Sequence, residues 1–203
     1  MSDSVLLDAR HVTKSFGRLQ VLTDANLVVR RGELVGVTGE NGCGKTTLLK
    51  IVVGLLEPDA GELARHGRLG YCPQESLVFE RLTVAENFAY FATGYGIGGW
   101  RPAMKRWVEF FGFGADADRL VDTLSGGTRQ KLNLALALLH DPTVLLLDEP
   151  YAGFDWETYL RFWELAEVLR AEGRGVLVVS HFMYDQARLD RVCELREGVL
   201  TCV

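Results

Sequence analysis

The sequence has no apolar run long enough to span a membrane, and this absence limits what the chain can be. A membrane-spanning helix needs about 20 consecutive apolar residues, whereas the longest apolar runs here cover residues 134–139, 144–147 and 176–179. Residues 1–8 are acidic and lack the positively charged and then apolar pattern of a secretory signal. We therefore predict a soluble chain that is located in the cytoplasm.

An excess of positive charge is also missing from this sequence. The 22 Lys and Arg residues are outnumbered by 27 Asp and Glu residues, which gives a formal net charge of −5. Nucleic-acid-binding domains tend to be basic. The charge balance therefore argues against nucleic acid as the main partner, and we expect none.

Cysteine motifs are absent as well. No C-x-x-C pair and no metal-ligand spacing occurs among the four cysteines, Cys43, Cys72, Cys193 and Cys202. Scattered cysteines in a cytoplasmic chain are usually reduced thiols. We predict reduced thiols in preference to a disulfide framework, which is the alternative for such a set.

What the sequence does contain is enough apolar material for one folded domain, since 48% of its 203 residues are hydrophobic and 24% are charged. We predict a single domain over residues 1–203, in which an α/β core (1–76 and 141–203) is interrupted by a helical, aromatic-rich block (77–140). The residue patterns predict strands at 5–9, 20–22, 26–29, 34–37, 144–147 and 176–179, helices at 45–53 and 156–171, and a final hairpin at 192–203.

The strongest motif is a glycine-rich loop between a predicted strand and a predicted helix. It fits the pattern G-x-x-x-x-G-K-[ST] in full and consists of Gly39, Glu40, Asn41, Gly42, Cys43, Gly44, Lys45, Thr46 and Thr47. Glycines let successive backbone N–H groups point at phosphate oxygens, and the positive end of the following helix attracts the same anion. The alternative is a glycine-rich turn with a chance Lys-Thr pair, which the flanking strand and helix disfavour.

Two side chains of this phosphate loop indicate a nucleoside triphosphate with its metal ion. Lys45 is placed to reach the β- and γ-phosphates, and the Thr46 hydroxyl is placed to ligate Mg²⁺. Cys43 occupies a position where only its backbone N–H is needed, so we interpret its thiol as incidental.

Two carboxylates follow the apolar run at 144–147. A buried strand delivers its last residues to the carboxyl edge of a parallel sheet, where ligands bind. Asp148 is therefore expected to hold Mg²⁺, and Glu149 to polarise the attacking water. Solvated acids at an ordinary strand end are the alternative, which the phosphate loop upstream disfavours.

A third motif, Leu124-Ser125-Gly126-Gly127-Thr128-Arg129-Gln130-Lys131, lies between the other two. By itself, a Ser before two glycines and an apolar helix is a plausible helix cap. In this position the segment resembles the signature of ABC-family ATPases, in which L-S-G-G-Q-x-Q is usual. Further residues match landmarks of that family in order, namely the adenine-stacking aromatic Phe16, the Q-loop Gln74, the D-loop Asp155 and the switch histidine His181.

The resemblance covers essentially the whole chain, although each landmark also has a simpler explanation. Phe16 fits a core or turn aromatic, and Gln74 fits a surface residue. Asp155 fits a helix cap, and His181 fits a satisfied loop histidine.

The sequence departs from the family pattern at three places. Thr128 stands where the signature usually has Gln, and Tyr151 and Phe154 replace smaller or aliphatic residues around the D-loop. The serine and glycines that would meet a nucleotide are intact. The departures therefore bear on subunit contacts and not on hydrolysis.

The resemblance implies the α/β fold class of a P-loop NTPase, with a RecA-like, mostly parallel sheet core, an N-terminal antiparallel β subdomain and an inserted helical subdomain. It implies ATP and Mg²⁺ as cofactors and catalytic roles for Lys45, Glu149 and His181. It further implies ATP contacts from Phe16, the whole phosphate loop and Gln74, and metal contacts from Thr46, Gln74 and Asp148.

The resemblance also implies a shared active site. In the family two such domains pair head to tail, so we expect a second copy of this chain or a homologous ATPase as a partner. The site of the partner would be completed in trans by the signature residues Ser125, Gly126, Gly127 and Gln130, with Asp155 in the D-loop. A separate transmembrane permease is the other implied partner, and it would hold the ATPase at the inner face of the membrane.

The predicted function is ATP hydrolysis that powers transport through that permease. Export is favoured because the short chain and the residue sequence of its signature motif resemble those of small exporter cassettes. A non-transport ATPase that regulates envelope or division machinery is the main alternative, ahead of DNA-repair and ribosome-associated members. We expect most rings between Phe88 and Phe113 to form the core of the helical block, and the exposed ones to dock the permease.

Overall fold

One sheet runs through the computed structural model, which describes residues 4–181 and 185–202. The strands in these residues are β1 (Val5–Phe16), β2 (Leu19–Arg30), β3 (Leu34–Thr38), β4 (Ala60–Arg65), β5 (Leu69–Cys72), β6 (Val144–Asp148), β7 (Gly175–Val179), β8 (Arg191–Arg196) and β9 (Val199–Cys202). The α-helices are α1 (Lys45–Val53), α2 (Val84–Gly94), α3 (Arg101–Phe110), α4 (Gly126–Leu138) and α5 (Trp156–Ala171). The strand order across the sheet is β4-β1-β2-β9-β8-β3-β7-β6-β5.

The half of the sheet formed by β8, β3, β7, β6 and β5 is parallel. Strands β6 and β7 are buried along their whole length, which explains their continuous Val and Leu sequences because both faces are covered. Val144 and Leu146 join one apolar cluster together with α1, whereas Leu145 and Leu147 join a second cluster together with α4 and α5. The predicted fold class, α/β with a mostly parallel core, is confirmed.

The other half of the sheet is largely antiparallel. Strand β1 pairs antiparallel with both β2 and β4, and the β8–β9 hairpin joins this half through the Asp24–Val199 pair. The prediction of two separate strands at 20–22 and 26–29 is wrong, because β2 continues through residues 23–25. Register shifts along the β1–β2 ladder mark bulges that let the pairing continue there.

Strands β4 and β5 are not indicated by the sequence pattern. Strand β4 is mostly exposed, so it carries no apolar run. Strand β5 has only four residues and includes Gly70. Each is held by its neighbours, β1 for β4 and β6 for β5, and not by its own propensity.

The helices α2, α3 and α4 lie within the predicted helical block. Helix α2 begins with a capping box, in which Thr83 Oγ1 accepts a hydrogen bond from the Glu86 N–H at 3.1 Å and Glu86 Oε2 accepts one from the Thr83 N–H at 2.7 Å. The rings of Phe88, Trp107, Phe111 and Phe113 are buried in one cluster, whereas Tyr90 and Tyr95 are exposed. The aromatic residues therefore contribute both to the core of the block and to its surface.

The prediction of four reduced cysteines is wrong for one pair. Cys193 and Cys202 lie directly opposite each other in the β8–β9 ladder and form a disulfide, whereas Cys43 and Cys72 are free. The cause is the hairpin register. A turn at Glu197-Gly198, within the hairpin that the sequence predicts at 192–203, brings residues 193 and 202 face to face.

Gly70 provides a test of the packing between β5 and α4. A Cβ at this position would lie 2.5 Å from the Ala137 carbonyl oxygen and 2.8 Å from Pro142 Cγ. Gly70→Ala should therefore lower the free energy of unfolding by about 1–3 kcal/mol, as overpacked cores do.

Chemical denaturation of both variants measures this effect. The control is Gly98→Ala, because a Cβ at Gly98 would have no heavy atom within 4 Å, and its stability should be unchanged. Equal stabilities for the two variants would show that α4 shifts away from β5 at no cost.

Candidate nucleotide-binding site

The phosphate loop connects the end of β3 to the start of α1. Its glycines adopt positive φ angles, which are 151° at Gly39, 82° at Gly42 and 109° at Gly44, and only glycine adopts such angles without strain. A Cβ on Gly44 would also lie 2.7 Å from Val21 Cγ1. The sequence pattern of the loop is therefore required by its backbone path.

The N-terminus of α1 has no side-chain cap. Helices α2, α4 and α5, in contrast, are capped by the side chains of Thr83, Ser125 and Asp155. The first backbone N–H groups of a helix need an acceptor, and a phosphate is a suitable one. The open end of α1 therefore fits an anionic ligand.

Lys45 supplies a positive charge at the same place. Its side chain is only 8% exposed, and its Nζ donates hydrogen bonds to the carbonyl oxygens of Gly39 at 2.7 Å and of Glu40 at 2.9 Å. Both acceptors are neutral oxygens, and the charge of the ammonium group also acts on Asp148. A phosphate in the loop would give Lys45 a charged hydrogen-bond acceptor.

Asp148 and Thr46 meet where a metal ion would be expected. Thr46 Oγ1 donates a hydrogen bond to Asp148 Oδ2 at 2.7 Å. Burial raises the pKa of Asp148, neighbouring Glu149 raises it further, and the bond from Thr46 opposes both. Carboxylate and hydroxyl oxygens suit Mg²⁺, which usually takes few protein ligands together with substrate phosphates.

No cluster of three or more His, Cys, Asp or Glu side chains that could hold a metal by itself occurs in the described part of the chain. Gln74, the third predicted metal ligand, lines the same cavity as Thr46 and Asp148. The residues present therefore fit Mg²⁺ bound together with a nucleotide, and not an independent metal centre.

Glu149 is held firmly at the ends of β6 and β7. Its N–H donates to the Val179 carbonyl at 2.8 Å, and its Oε2 accepts from Ser180 Oγ at 2.7 Å. Its Oε1 accepts from the His181 N–H at 2.7 Å and lies 2.8 Å from His181 Nδ1. The backbone of Glu149 has φ 49°, a conformation that costs energy for a residue with a side chain and is often found at functional sites.

These groups surround one cavity of about 400 Å³. Its lining contains most of the predicted nucleotide and catalytic residues: Phe16, Asn41, Gly42, Gly44, Lys45, Thr46, Thr47, Gln74, Asp148, Glu149 and His181. The other predicted loop residues, Gly39, Glu40 and Cys43, line two neighbouring cavities instead.

Val21 also lines the cavity, and it was not predicted. It lies on β2 and packs against Gly44. An apolar residue in a strand carries no motif, so the sequence offers no signal for it. Phe16, at the end of β1, is 51% exposed, which leaves its ring accessible to a base.

The signature residues lie away from this cavity. Ser125 caps α4, with its Oγ accepting from the Thr128 N–H at 3.1 Å, and Gly126 and Gly127 form the first turn of that helix. None of these residues, nor Gln130, lines the cavity of the same chain. The structure therefore separates the residues predicted to act in trans from those predicted to act in cis.

Asp155 caps α5 through a 2.7 Å bond from the Thr158 N–H to its Oδ1. Hydrogen bonds from Thr158 lower the pKa of Asp155. The simpler explanation of this residue, a helix cap, is therefore correct in the single chain. The second carboxylate oxygen, Oδ2, lies 3.8 Å from Lys131 Nζ of the same chain.

Comparison with known proteins identifies the family to which this fold and site belong. Residues 22–152 match the model of a family described as ABC transporter. The chain belongs to the ABC transporter family. The matched range includes the phosphate loop, Gln74, the signature segment and the acidic end of β6.

Individual relatives extend the match to nearly the whole chain. The Nod factor export ATP-binding protein I of Burkholderia lata is 39% identical, over 95% of this chain and 68% of the relative. The probable multidrug ABC transporter ATP-binding protein YbhF of Escherichia coli is 34% identical, over 96% of this chain and 36% of the relative. A solved ATP-binding subunit of an ABC transporter superposes with a TM-score of 0.90 at 26% identity, over 96% of this chain and 88% of the other.

The chain is therefore an ATP-binding subunit of the ABC transporter family. Among the residues described by the structure, no helix is long and apolar enough to cross a membrane.

The position of Lys45 predicts a loss of ATP affinity when this side chain is removed. Lys45→Ala deletes a charged donor, which contributes roughly 1.5–3 kcal/mol, so the dissociation constant for ATP should rise about 10- to 100-fold. Isothermal titration calorimetry measures this directly. Lys50→Ala is the matched control, because Lys50 lies on the same helix and is exposed, and it should bind ATP as the parent does. Equal affinities of the two variants would contradict the assignment of Lys45.

Proposed function

We propose that this subunit hydrolyses ATP as one half of a head-to-tail pair and powers export through a separate membrane permease. The observation that carries the proposal is the division of the landmarks within one chain. Eleven of the predicted site residues line one cavity, whereas Ser125, Gly126 and Gly127 begin a helix elsewhere. A second chain, either a copy of this one or a homologous ATPase, is needed to bring those donors to the nucleotide.

Hydrolysis is supported by the environment of Glu149. A general base must be positioned to take a proton from the attacking water, and Glu149 is fixed by Ser180 and His181 at the rim of the cavity. We assign Glu149 as the base and His181 as the residue that orients it. Lys45 stabilises the negative charge that develops on the phosphate oxygens.

Mg²⁺ is proposed as the metal cofactor. Thr46, Asp148 and Gln74 are the residues that would hold it, and when bound it neutralises phosphate charge. The Thr46–Asp148 hydrogen bond places the hydroxyl and the carboxylate side by side. Little side-chain movement is then required when the nucleotide arrives.

The trans contribution is proposed to come from the first turn of α4. The Gly126 and Gly127 amides lie at a helix N-terminus, where backbone N–H groups favour anions. The Ser125 hydroxyl is an additional polar group beside them. Gln130 is assigned to the signature segment, but its side chain is buried within its own chain, so its role in the pair would be indirect. Asp155, at the D-loop, is proposed to contact the partner chain.

The permease is proposed to dock on the exposed apolar side chains of the helical block. Leu77, Phe79, Tyr90 and Tyr95 are all more than one-third exposed, and Phe79 and Tyr90 contact each other with ring centroids 4.4 Å apart. Leu77 and Phe79 follow Gln74 closely in the chain, and Gln74 lines the nucleotide cavity. A permease docked on Leu77 and Phe79 would therefore sense whether nucleotide is bound. This contact would place the subunit at the inner face of the membrane.

Export is the direction that the relatives support. One relative is named for Nod factor export and another for multidrug transport. Those names describe those proteins, and we extend only the direction of transport to this chain.

Glu149→Gln tests the catalytic base. The amide cannot accept the proton of water, so turnover should fall about 10²- to 10⁴-fold, the usual contribution of a general base, while ATP binding persists. Phosphate release measures turnover, and size-exclusion chromatography with ATP measures pairing. The variant is expected to accumulate as an ATP-bound pair. Turnover close to that of the parent would show that another group is the base.

Gly126→Ala tests the trans contribution. A Cβ on Gly126 meets no heavy atom within 4 Å in the single chain, so the monomer should fold and bind ATP normally. In the pair the methyl group would obstruct the phosphate, and turnover should fall at least about 10-fold, as when one anion-stabilising donor is lost.

Gly127→Ala is a less specific variant and serves as the comparison. A Cβ there would lie 2.7 Å from the Gly153 carbonyl oxygen of the same chain, so it should destabilise the monomer itself. A Gly126→Ala variant with full turnover would contradict a signature contact in trans.

A further inference from the structure

Helix α4 carries two buried amide side chains on its inner face. Gln130 is 8% exposed and Asn133 is 3% exposed, and the other residues of α4 buried around them are Leu and Ala. A buried amide is unfavourable unless it is hydrogen-bonded. Their partners therefore show what fixes the position of α4.

Asn133 binds both sides of the segment that carries Gln74. Its Nδ2 donates to the Pro73 carbonyl at 2.9 Å and to Cys72 Sγ at 3.3 Å. Its Oδ1 accepts from the Leu77 N–H at 3.4 Å. One side chain of the signature helix thus holds the chain immediately before and shortly after the Q-loop glutamine.

Gln130 binds the segment that follows the proposed catalytic base. Its Nε2 donates to the carbonyl oxygen of Pro150, the residue after Glu149, at 3.2 Å, and it lies 3.9 Å from Cys72 Sγ. The first turn of α4 also touches this segment, since a Cβ on Gly127 would lie 2.7 Å from the Gly153 oxygen. Helix α4 therefore contacts the chain beside both Gln74 and Glu149.

Cys72 lies between the two amides and accepts from both. Burial raises the pKa of this thiol, so it is neutral and adds no charge to the cluster. Apolar burial alone specifies the position of α4 less sharply than hydrogen bonds do, because the hydrophobic effect is not directional. The amide hydrogen bonds are satisfied only when α4 keeps one position relative to the two segments.

We propose that Gln130 and Asn133 are positioning residues that couple the two nucleotide sites of the pair. This inference rests on the proposed function, in which α4 begins at the partner's nucleotide while Gln74 and Glu149 face the chain's own. The two amides are then a direct connection within one chain between the two sites. A change at one site alters the position of the signature segment at the other.

The variants Asn133→Leu and Gln130→Met test the coupling, because each has an apolar side chain of similar length and removes the hydrogen bonds of the amide. Asn87→Leu is the matched control. Asn87 is fully buried in the same helical block and also makes three hydrogen bonds, to the Phe79 N–H at 2.8 Å, the Phe79 carbonyl at 3.0 Å and the Thr83 carbonyl at 2.9 Å. None of these bonds joins Asn87 to Pro73 or Pro150. The Asn87→Leu variant should therefore reproduce the loss of stability without the loss of coupling.

Two measurements are made on the full chain with Mg²⁺ and ATP. The first is the dependence of turnover on ATP concentration, given as a Hill coefficient. The second uses the Glu149→Gln background and measures ATP-driven pairing by analytical ultracentrifugation. ATP affinity of the unpaired chain is determined alongside, at protein concentrations too low for pairing.

The parent and Asn87→Leu should show a Hill coefficient above 1, and Asn133→Leu and Gln130→Met a coefficient near 1. In the Glu149→Gln background, Asn133→Leu and Gln130→Met should each weaken pairing at least about 5-fold, which is the lower end of typical coupling between sites. The ATP affinity of the unpaired chain should be unchanged. If both variants match Asn87→Leu in both measurements, or if the parent itself has a Hill coefficient of 1, the proposal is overturned.

Failure of the proposed function would look different. A parent chain that neither hydrolyses ATP nor pairs when Glu149 is replaced would contradict the ATPase assignment and not the role of the amides. If Asn133→Leu does not fold, Gln130→Met decides the question, because it removes only the Pro150 and Cys72 contacts.

Discussion

The alignment of three strand ends is the constraint on which the rest of this structure depends. In the parallel register Val37 pairs with Val179, and Val179 pairs with Asp148. The residues that come next, namely the phosphate loop, Glu149 and the Ser180-His181 pair, are therefore delivered to one edge of the sheet. Glu149 then bonds back to Val179 and to Ser180, which closes the arrangement. Gln74, which follows β5, and Phe16, at the end of β1, line the same cavity, whereas the signature residues begin α4 away from it.

The sequence predicts helices and strands well where residue periodicity or a local start signal, such as a glycine loop or a helix cap, marks them. Helices at 45–53 and 156–171 have the bounds observed for α1 and α5, because an open glycine loop and an Asp cap mark where they begin. The sequence pattern predicts two strands where β2 is continuous, because residues 23 and 24 are held from outside the β1 ladder: their N–H groups donate to the Gly198 carbonyl oxygen, and Asp24 pairs with Val199 of β9. The disulfide was missed because residue spacing was compared with metal and C-x-x-C patterns and not with the hairpin register.

The candidate site was predicted in a similar way, motif by motif. Short patterns such as the phosphate loop encode their own geometry, so residues such as Lys45 and Thr46 are found from sequence alone. The inward direction of Gln130 and Asn133 is not encoded in that way, since it depends on which face of α4 meets β5 and β6. The resemblance of the signature motif implies that Gln130 acts at the partner's nucleotide, whereas its hydrogen bonds lie inside its own chain. The sequence likewise gives no signal for Val21, because the position of this aliphatic residue in the site follows only from its packing against Gly44.

The uncapped start of α1 has a consequence for folding as well as for binding. Helices α2, α4 and α5 supply their own acceptors from Thr83, Ser125 and Asp155, whereas α1 has no side-chain cap and begins at the phosphate loop. A ligand that binds only the folded chain stabilises it, by about 2.7 kcal/mol when its free concentration is 100 times its dissociation constant. The nucleotide thus takes the place of a side-chain cap on this helix, and the domain is expected to reach its full thermal stability only with ATP bound.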